Sequence, residues 1–313
     1  VDVVAGDAQA IRLVLTPVMR DDGTVASSTR TGQRIDDQAV SIPVLRRDQV
    51  DATVTKGPGD IVNLFGEMPG IRMQTTSPVL GLSMVRLQGL PGRYTRLLND
   101  GTALYSDRPG GYAPLRIPTM DIGQVEVIKG PASAWYGSDA LAGIVNLVSR
   151  RPGAASSREF LFNQSTRGTT DGMLWLASPA TGPSRRWSST FLAGGHYQKE
   201  TDGDDDGWSD IPGYSRGAVR QRVLYDNGQG RTFSGVAGVT FETREGGSAF
   251  AREKLETKTV DGGLSGQVLL DNGYILAGAG MLYIQSRERQ FSDALERDRP
   301  QTATIEITLR RPT

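Results

Sequence analysis

From residue 158 onward, apolar and polar side chains take turns along the chain. Phe233, Gly235, Ala237, Val239 and Phe241 share one parity, with Thr232, Ser234, Thr240 and Glu242 on the other. Val260, Gly262, Leu264, Gly266, Val268 and Leu270 stand opposite Asp261, Ser265 and Gln267. Ala303, Ile305, Ile307 and Leu309 alternate with Thr302, Thr304, Glu306, Thr308 and Arg310. A period of two is that of a strand with one apolar face. The pattern predicts strands near 158–165, 171–178, 186–197, 217–225, 231–242, 259–270, 274–286 and 301–310.

The connections between them fall into two kinds. Asp226-Asn227-Gly228 and Asp271-Asn272-Gly273 are hairpin-turn sequences. The segments QKETDGDDDGWSDIPGYSR, TREGGSAFAREKLETK and SRERQFSDALERDRP read as long polar loops on the opposite rim. Short turns on one rim and long loops on the other suit a membrane-spanning antiparallel barrel. Trp187 and Tyr197 share the apolar parity ten residues apart. That is roughly 33 Å along the strand, or about 23 Å in height at a 45° tilt, the spacing of two aromatic girdles. A soluble β-sandwich also alternates, so periodicity alone leaves it open. It gives no reason for segregating loops by length, nor for an opposite face rich in Arg220, Arg222, Asp261 and Glu306.

Upstream, the pattern is mixed. In Asp60 to Met68, Ile61, Leu64, Phe65 and Met68 fall on one helical face, and Pro69-Gly70 ends the run. Short strands follow at IRMQ (71), MVRLQ (84), YTRLLND (94, with an Asp100-Gly101 turn) and QVEVIK (124). Residues 125–150 alternate, break at Gly130-Pro131, and resume as strand. The expected organisation is a remnant of a small β-domain over 1–18, a flexible linker over 19–32, an α+β domain over 33–152, and barrel strands over 153–313.

Composition removes most alternatives. Lys+Arg and Asp+Glu both number 35, so no net field draws the chain to nucleic acid. The absence of Cys excludes thiolate metal sites and cysteine nucleophiles, and one His leaves little room for His-based catalysis. With no nucleophile beside a base and no phosphate loop, the expectation is that this is not an enzyme. No apolar run approaches the roughly 20 residues of a spanning helix. If the chain meets a bilayer, strands do it.

VEVIKGPASAWYGSDALAGIVNLVSRRP and LQGLPGRYTRLLNDGTALY (87–105) resemble the plug-domain signature of TonB-dependent outer-membrane receptors, over about residues 33–152. The resemblance implies an α+β plug inside a 22-stranded transmembrane barrel in the outer membrane of a Gram-negative bacterium, about 8 of the 22 strands being present here. At about 19 residues per strand, 22 strands need roughly 420 residues, which makes the chain an expected fragment. Implied partners are TonB with its ExbB–ExbD motor, outer-membrane lipid, and an imported iron–siderophore chelate or cobalamin; no cofactor is required. The resemblance places the TonB-contacting box before the plug, at Thr24, Val25, Ala26, Ser27 and Ser28. An extended segment can add to a partner's sheet edge with few demands on sequence. Serines stand where a second β-branched residue is expected, and a plain linker reads equally well there.

Two candidate sites remain. Asp202, Asp204, Asp206, Trp208 and Asp210 occupy the first nine positions of a calcium loop, with acids at 1, 3, 5 and 9, Gly207 at the sharp turn and the Trp208 carbonyl at position 7. Gly213 replaces the bidentate Glu of an EF-hand, so another loop must complete any Ca2+ shell; an Asp-rich loop can also be merely solvated. In LYSDRPGGYAPLRIP, Tyr105, Arg108 and Tyr112 offer aromatic surface and a cation to an anionic chelate. They serve equally as loop residues packed on the wall. His196, on the polar parity, reads as a hydrogen-bonded wall residue. The competing function is a calcium-dependent surface protein that captures glycans without transport.

Overall fold

The computed structural model describes residues 43–56, 61–66, 68–104, 117–130, 140–181 and 186–310. The α+β domain comprises β1 (Val44–Leu45), α1 (Arg47–Lys56), α2 (Val62–Gly66), β2 (Ile71–Ser77), β3 (Leu82–Leu87), β4 (Thr95–Asn99), β5 (Thr102–Ala103), β6 (Ile122–Lys129) and β7 (Gly143–Ser149). Five of these strands form one sheet in the order β1-β6-β7-β4-β5, and β2 and β3 make a separate hairpin. The β4–β7 pairing is parallel. Helices on one side and Leu98, Ile128 and Ala140 on the other leave β7 buried on both faces, which is why GIVNLVS is nearly continuous in apolar residues. The core gathers Val50 and Val54 of α1, Ile61, Leu64, Phe65 and Met68 around α2, and Ile122, Val125, Val127, Val145 and Leu147 of the sheet.

The helical face predicted over Asp60–Met68 is the one that is buried, although regular helix covers only Val62–Gly66. The sequence pattern did not reveal α1, because Val50 and Val54 are its only core contributions. Its ends supply the remaining order. The Gln49 side chain accepts from the Arg46 amide at 3.0 Å, and Arg47 pairs with Asp51 one turn on.

The second sheet is antiparallel throughout: β8 (Ser157–Gln164), β9 (Thr169–Thr181), β10 (Trp187–Gln198), β11 (Gly213–Asp226), β12 (Arg231–Gly247), β13 (Arg252–Leu269), β14 (Ile275–Phe291), β15 (Ala294–Asp298) and β16 (Gln301–Arg310). Because β15 and β16 both pair with β14, they are two halves of an eighth barrel strand interrupted at Arg299-Pro300. Each of the eight predicted strands is present, and most run longer than expected.

The outward parity is apolar and exposed: Phe160, Phe162, Val219, Phe241, Val260, Leu264, Leu282, Ile284, Ile305 and Ile307. Inward positions hold Arg216, Arg220, Arg222, Glu242, Glu253, Asp261 and Arg287, all buried. A soluble sandwich buries its apolar parity, so this inversion identifies a lipid-facing wall around a polar lumen. Trp187 and Tyr197 both point outward, 49% and 54% exposed, as the girdle spacing requires. Trp187 stacks at 4.9 Å on Tyr225, its cross-strand partner.

The long-loop expectation holds for residues 199–212 and fails elsewhere on that rim. β12 reaches Gly247 and β13 starts at Arg252; β14 reaches Phe291 and β15 starts at Ala294. Most of TREGGSAFAREKLETK and SRERQFSDALERDRP is therefore strand. Outward positions on β13 pass from Val260 to Lys258, Glu256 and Lys254, and on β14 from Ile284 to Ser286 and Glu288. Above the lipid both faces are wet, so the apolar alternation ends while the backbone ladder, which needs no apolar side chain, continues.

Candidate functional site

The 199–212 connection holds the acidic motif. The Asp202, Asp204 and Asp210 carboxylates each place an oxygen within 4.8 Å of the others. Local amides shape the turn: Gly207 N–H donates to Asp202 Oδ2 (2.9 Å) and Gly203 N–H to Asp210 Oδ2 (2.8 Å). Asp206 Oδ1 instead accepts from the Trp208 amide at 2.8 Å. Asp205 and Gly207 take positive φ, 58° and 86°, which folds the loop back on itself. Asp202 Oδ1 is buried without a hydrogen-bond partner, a costly arrangement for a carboxylate oxygen unless a cation meets it. Three hard oxygen donors with one unsatisfied atom fit a calcium ion.

This loop is tied to the end of β12 in the wall, beside the outer end of the plug. Ser209 N–H donates to Gly247 O, and the Ser209 hydroxyl accepts from Gly247 N–H. Next to it, the plug turn joining β2 and β3 (SPVLG, 77–81) leans on β12. Arg244 donates to the carbonyls of Leu80 and Gly81, both at 3.2 Å, while its guanidinium lies 3.7 Å from the Tyr214 ring centroid and is paired with Glu242. A Cβ on Gly246 would lie 2.2 Å from Val79 O, so only glycine permits this approach. Leu80 and Leu82 pack on Leu255.

The opposite end of the plug is seated by charge. Arg222 of β11 forks onto Asp121 at 3.2 and 3.3 Å and donates to the Ser149 hydroxyl at 2.5 Å. Asp100 lies 3.8 Å from the same guanidinium and accepts from Ser149 through both oxygens. Asp100 and Gly101 both have positive φ, as a two-residue turn between β4 and β5 demands. That turn aims the Asp100 carboxylate at the end of β7. Arg222 and Asp121 are 3% and 2% exposed. A dry seam lies alongside: Met120 packs with Met173, Trp175, Ala177 and Leu192 of the wall. Arg150 pairs with Glu159 and covers the Trp175 ring at 3.6 Å. Arg47 is held below the usual guanidinium range, by burial first and by nearby Arg150 second.

His196 is buried in the wall as expected, its Nδ1 2.5 Å from Asp171 Oδ1 and its ring 4.6 Å from Tyr214. Residues 1–32, with Thr24, Val25, Ala26, Ser27 and Ser28, and the loop carrying Tyr105, Arg108 and Tyr112 lie outside the described residues. The seats at Arg222 and Arg244 were not singled out from sequence as plug contacts. Their signal, a run of inward arginines on β11 and β12, becomes specific only when the lumen is known to hold another unit.

Residues 34–144 match the family model described as the TonB-dependent receptor plug domain. The vitamin B12 transporter BtuB of Vibrio vulnificus is 30% identical over 149 residues, 45% of this chain and 24% of that protein. The iron-regulated outer membrane virulence protein of Vibrio cholerae is 29% identical over 141 residues, 42% of this chain and 20% of that protein. The chain thus spans a quarter or less of the curated relatives it matches. Among solved structures, the siderophore receptor PiuA of Acinetobacter baumannii aligns with a TM-score of 0.69 at 12% identity, covering 91% of this chain and 44% of that one. The ferric enterobactin receptor PfeA of Pseudomonas aeruginosa aligns with a TM-score of 0.63 at 17% identity, covering 90% and 48%. These last two likenesses establish the fold, a plug within a barrel. Residues 34–144 thus carry the TonB-dependent receptor plug signature, and the chain has the fold of a plug seated against part of a barrel wall whose outer face is apolar.

Proposed function

We propose that the protein carrying this chain imports a scarce iron–siderophore chelate or cobalamin across the outer membrane, with the plug gating the lumen. The observation that supports this reading is the plug's position against a charged lumenal wall whose outer face is apolar, which makes it an obstruction across an aqueous path. Transport then requires that the plug move, and the energy comes through TonB, contacted by Thr24–Ser28. Removal of residues 22–28 from the complete receptor is expected to abolish uptake of a radiolabelled ferric chelate or cobalamin while leaving surface binding intact. Uptake of both at the parental rate would end the coupling claim.

Tyr105, Arg108 and Tyr112 are assigned to the ligand, the aromatic rings to a planar or apolar face and Arg108 to an anionic chelate. The loop acids are assigned to calcium. Asp202, Asp204 and Asp210 supply carboxylates, supported by their convergence and the orphaned Asp202 oxygen. Asp206 and the Trp208 carbonyl stand beside them, and a further ligand must come from outside the motif. Terbium luminescence displaced by calcium should be seen in the parent and lost in Asp202→Asn. If calcium binding proved essential to retaining a glycan while no chelate or cobalamin entered the cell, glycan capture would replace import.

A further inference from the structure

We propose that Arg222 is a partner-exchanging latch, which holds the plug through Asp121 at rest and passes to Asp261 of the wall when the plug is displaced. The inference rests on the reading that the plug moves relative to the wall.

At rest a single wall guanidinium gathers the ends of three plug segments: the β4–β5 turn at Asp100, the 3-10 turn at Asp121 and the end of β7 at Ser149. Withdrawal of the plug would strand Arg222 in the lumen wall without an anion. Before the parting surfaces admit water, a guanidinium deprived of its carboxylate is strongly unfavourable. A second anion within reach in the wall would therefore ease the first step of release.

The wall contains that second partner. Asp261 of β13 is 4% exposed and uses only Oδ1, which accepts from Arg220 Nη2 at 2.8 Å; its Oδ2 is buried without a hydrogen-bond partner. Arg220 and Arg222 are two residues apart on the same face of β11, about 7 Å along the strand. Arg220 already spans two strands to reach Asp261, crossing Gly238. A Cβ at Gly238 would come within 2.9 Å of Asp261 Oδ1 and 3.0 Å of Arg220 Nη2, so the crossing depends on that glycine. One row away, Arg222 is in register with Val236, which is paired with Gly263. The Val236 and Met281 side chains fill the space at Gly263, so the path from Arg222 to the free oxygen runs on the Gly238 side, where no side chain intervenes but that of Arg220. A side chain of the same length on the same strand can make the same crossing to the other oxygen of the same carboxylate. Asp261 would then bridge two guanidiniums, its charge-assisted bonds replacing those lost with Asp121.

The test is amide hydrogen exchange of residues 119–122 and 147–150 in the complete receptor in detergent, where spontaneous openings are read without the inner-membrane motor. A failure of TonB coupling would leave this readout intact, so the two readings fail separately. Asp121→Asn is expected to speed exchange at these amides roughly tenfold by weakening the resting state. Asp261→Asn is expected to slow it roughly tenfold by removing the destination, with Asp261→Glu restoring the parental rate within about twofold. If Asp261 serves only to hold the wall together, its loss loosens the seat, and unchanged or faster exchange overturns the proposal. Should Asp261→Asn not be recovered folded, the structure of Asp121→Ala decides. Arg222 within hydrogen-bond distance of Asp261 Oδ2 supports the exchange, and Arg222 anywhere else overturns it.

Discussion

Strands β7 and β11 show how the same backbone serves two solvents. β7, in the middle of the plug sheet, is buried on both sides, and its one internal polar residue, Asn146, is fully bonded to Glu126 and to the Gly101 amide. β11, in the wall, exposes Val219 and Val223 and buries Arg216, Arg220 and Arg222. In the plug, burial follows hydrophobicity and polar groups are the exceptions that need partners. In the wall, burial is imposed by enclosure, so the polar parity is inside and must be paired across the lumen. What stabilises one strand would therefore disrupt the other, and substitutions can separate the two regimes.

The largest effect is expected in the plug core. Phe65 is completely buried, and Phe65→Ala should cost about 3–5 kcal/mol of plug stability, read as a lower urea midpoint for plug protection with the barrel signal unmoved. Next is a charge on the lipid face. Leu264→Arg, at a position 62% exposed on the outward, hydrocarbon-facing side of β13, should cost about 2–4 kcal/mol when the complete receptor folds into vesicles. An equal outcome for the two proteins would mean that this surface is wet. A smaller loss follows from Ser149→Ala, which takes one acceptor from Arg222 but leaves the Asp121 fork; about 1.5–3 kcal/mol of plug retention is expected, measured by the same urea series.

The smallest effect lies above the membrane, where β14 and β15 meet. A hydrogen bond from Arg297 holds the Glu288 carboxyl below the usual carboxylate range. A depressed folded-state value means that the contribution is present above the unfolded pKa and lost as pH falls through the folded one. Both residues are exposed, so the change should appear as a local NMR titration of Glu288 below about pH 4.5 rather than as a change in melting. A Glu288 titration at or above the ordinary value would show that the pair is not formed.

Legibility in the sequence differed by element for identifiable reasons. The wall strands were readable because lipid and water on opposite sides enforce a period of two, broken only at Val236 from 232 to 242 and unbroken from 259 to 268. Where the strands rise above the lipid, that contrast vanishes, and residues 243–247 and 252–258 look like loop although they pair in register. Helix α1 offered only Val50 and Val54 as a stripe, too narrow for a periodic signal. The acidic loop was readable as a ligand pattern because its donors are close in sequence. Which of its acids converge was not, since Asp206 turns back to the Trp208 amide while Asp210 closes on Gly203.

The plug seat marks the boundary most clearly. Asp100, Asp121, Ser149 and Arg222 are spread over more than a hundred residues, and each alone looks like a turn residue, a strand edge or one more lumenal cation. By itself the sequence determined that this chain has a plug signature followed by alternating wall strands, because local periodicity and turn chemistry are written in neighbouring residues. The tertiary structure alone decided which charges meet, because a salt bridge between two separately formed units depends on how they are nested, and no local pattern encodes that distance.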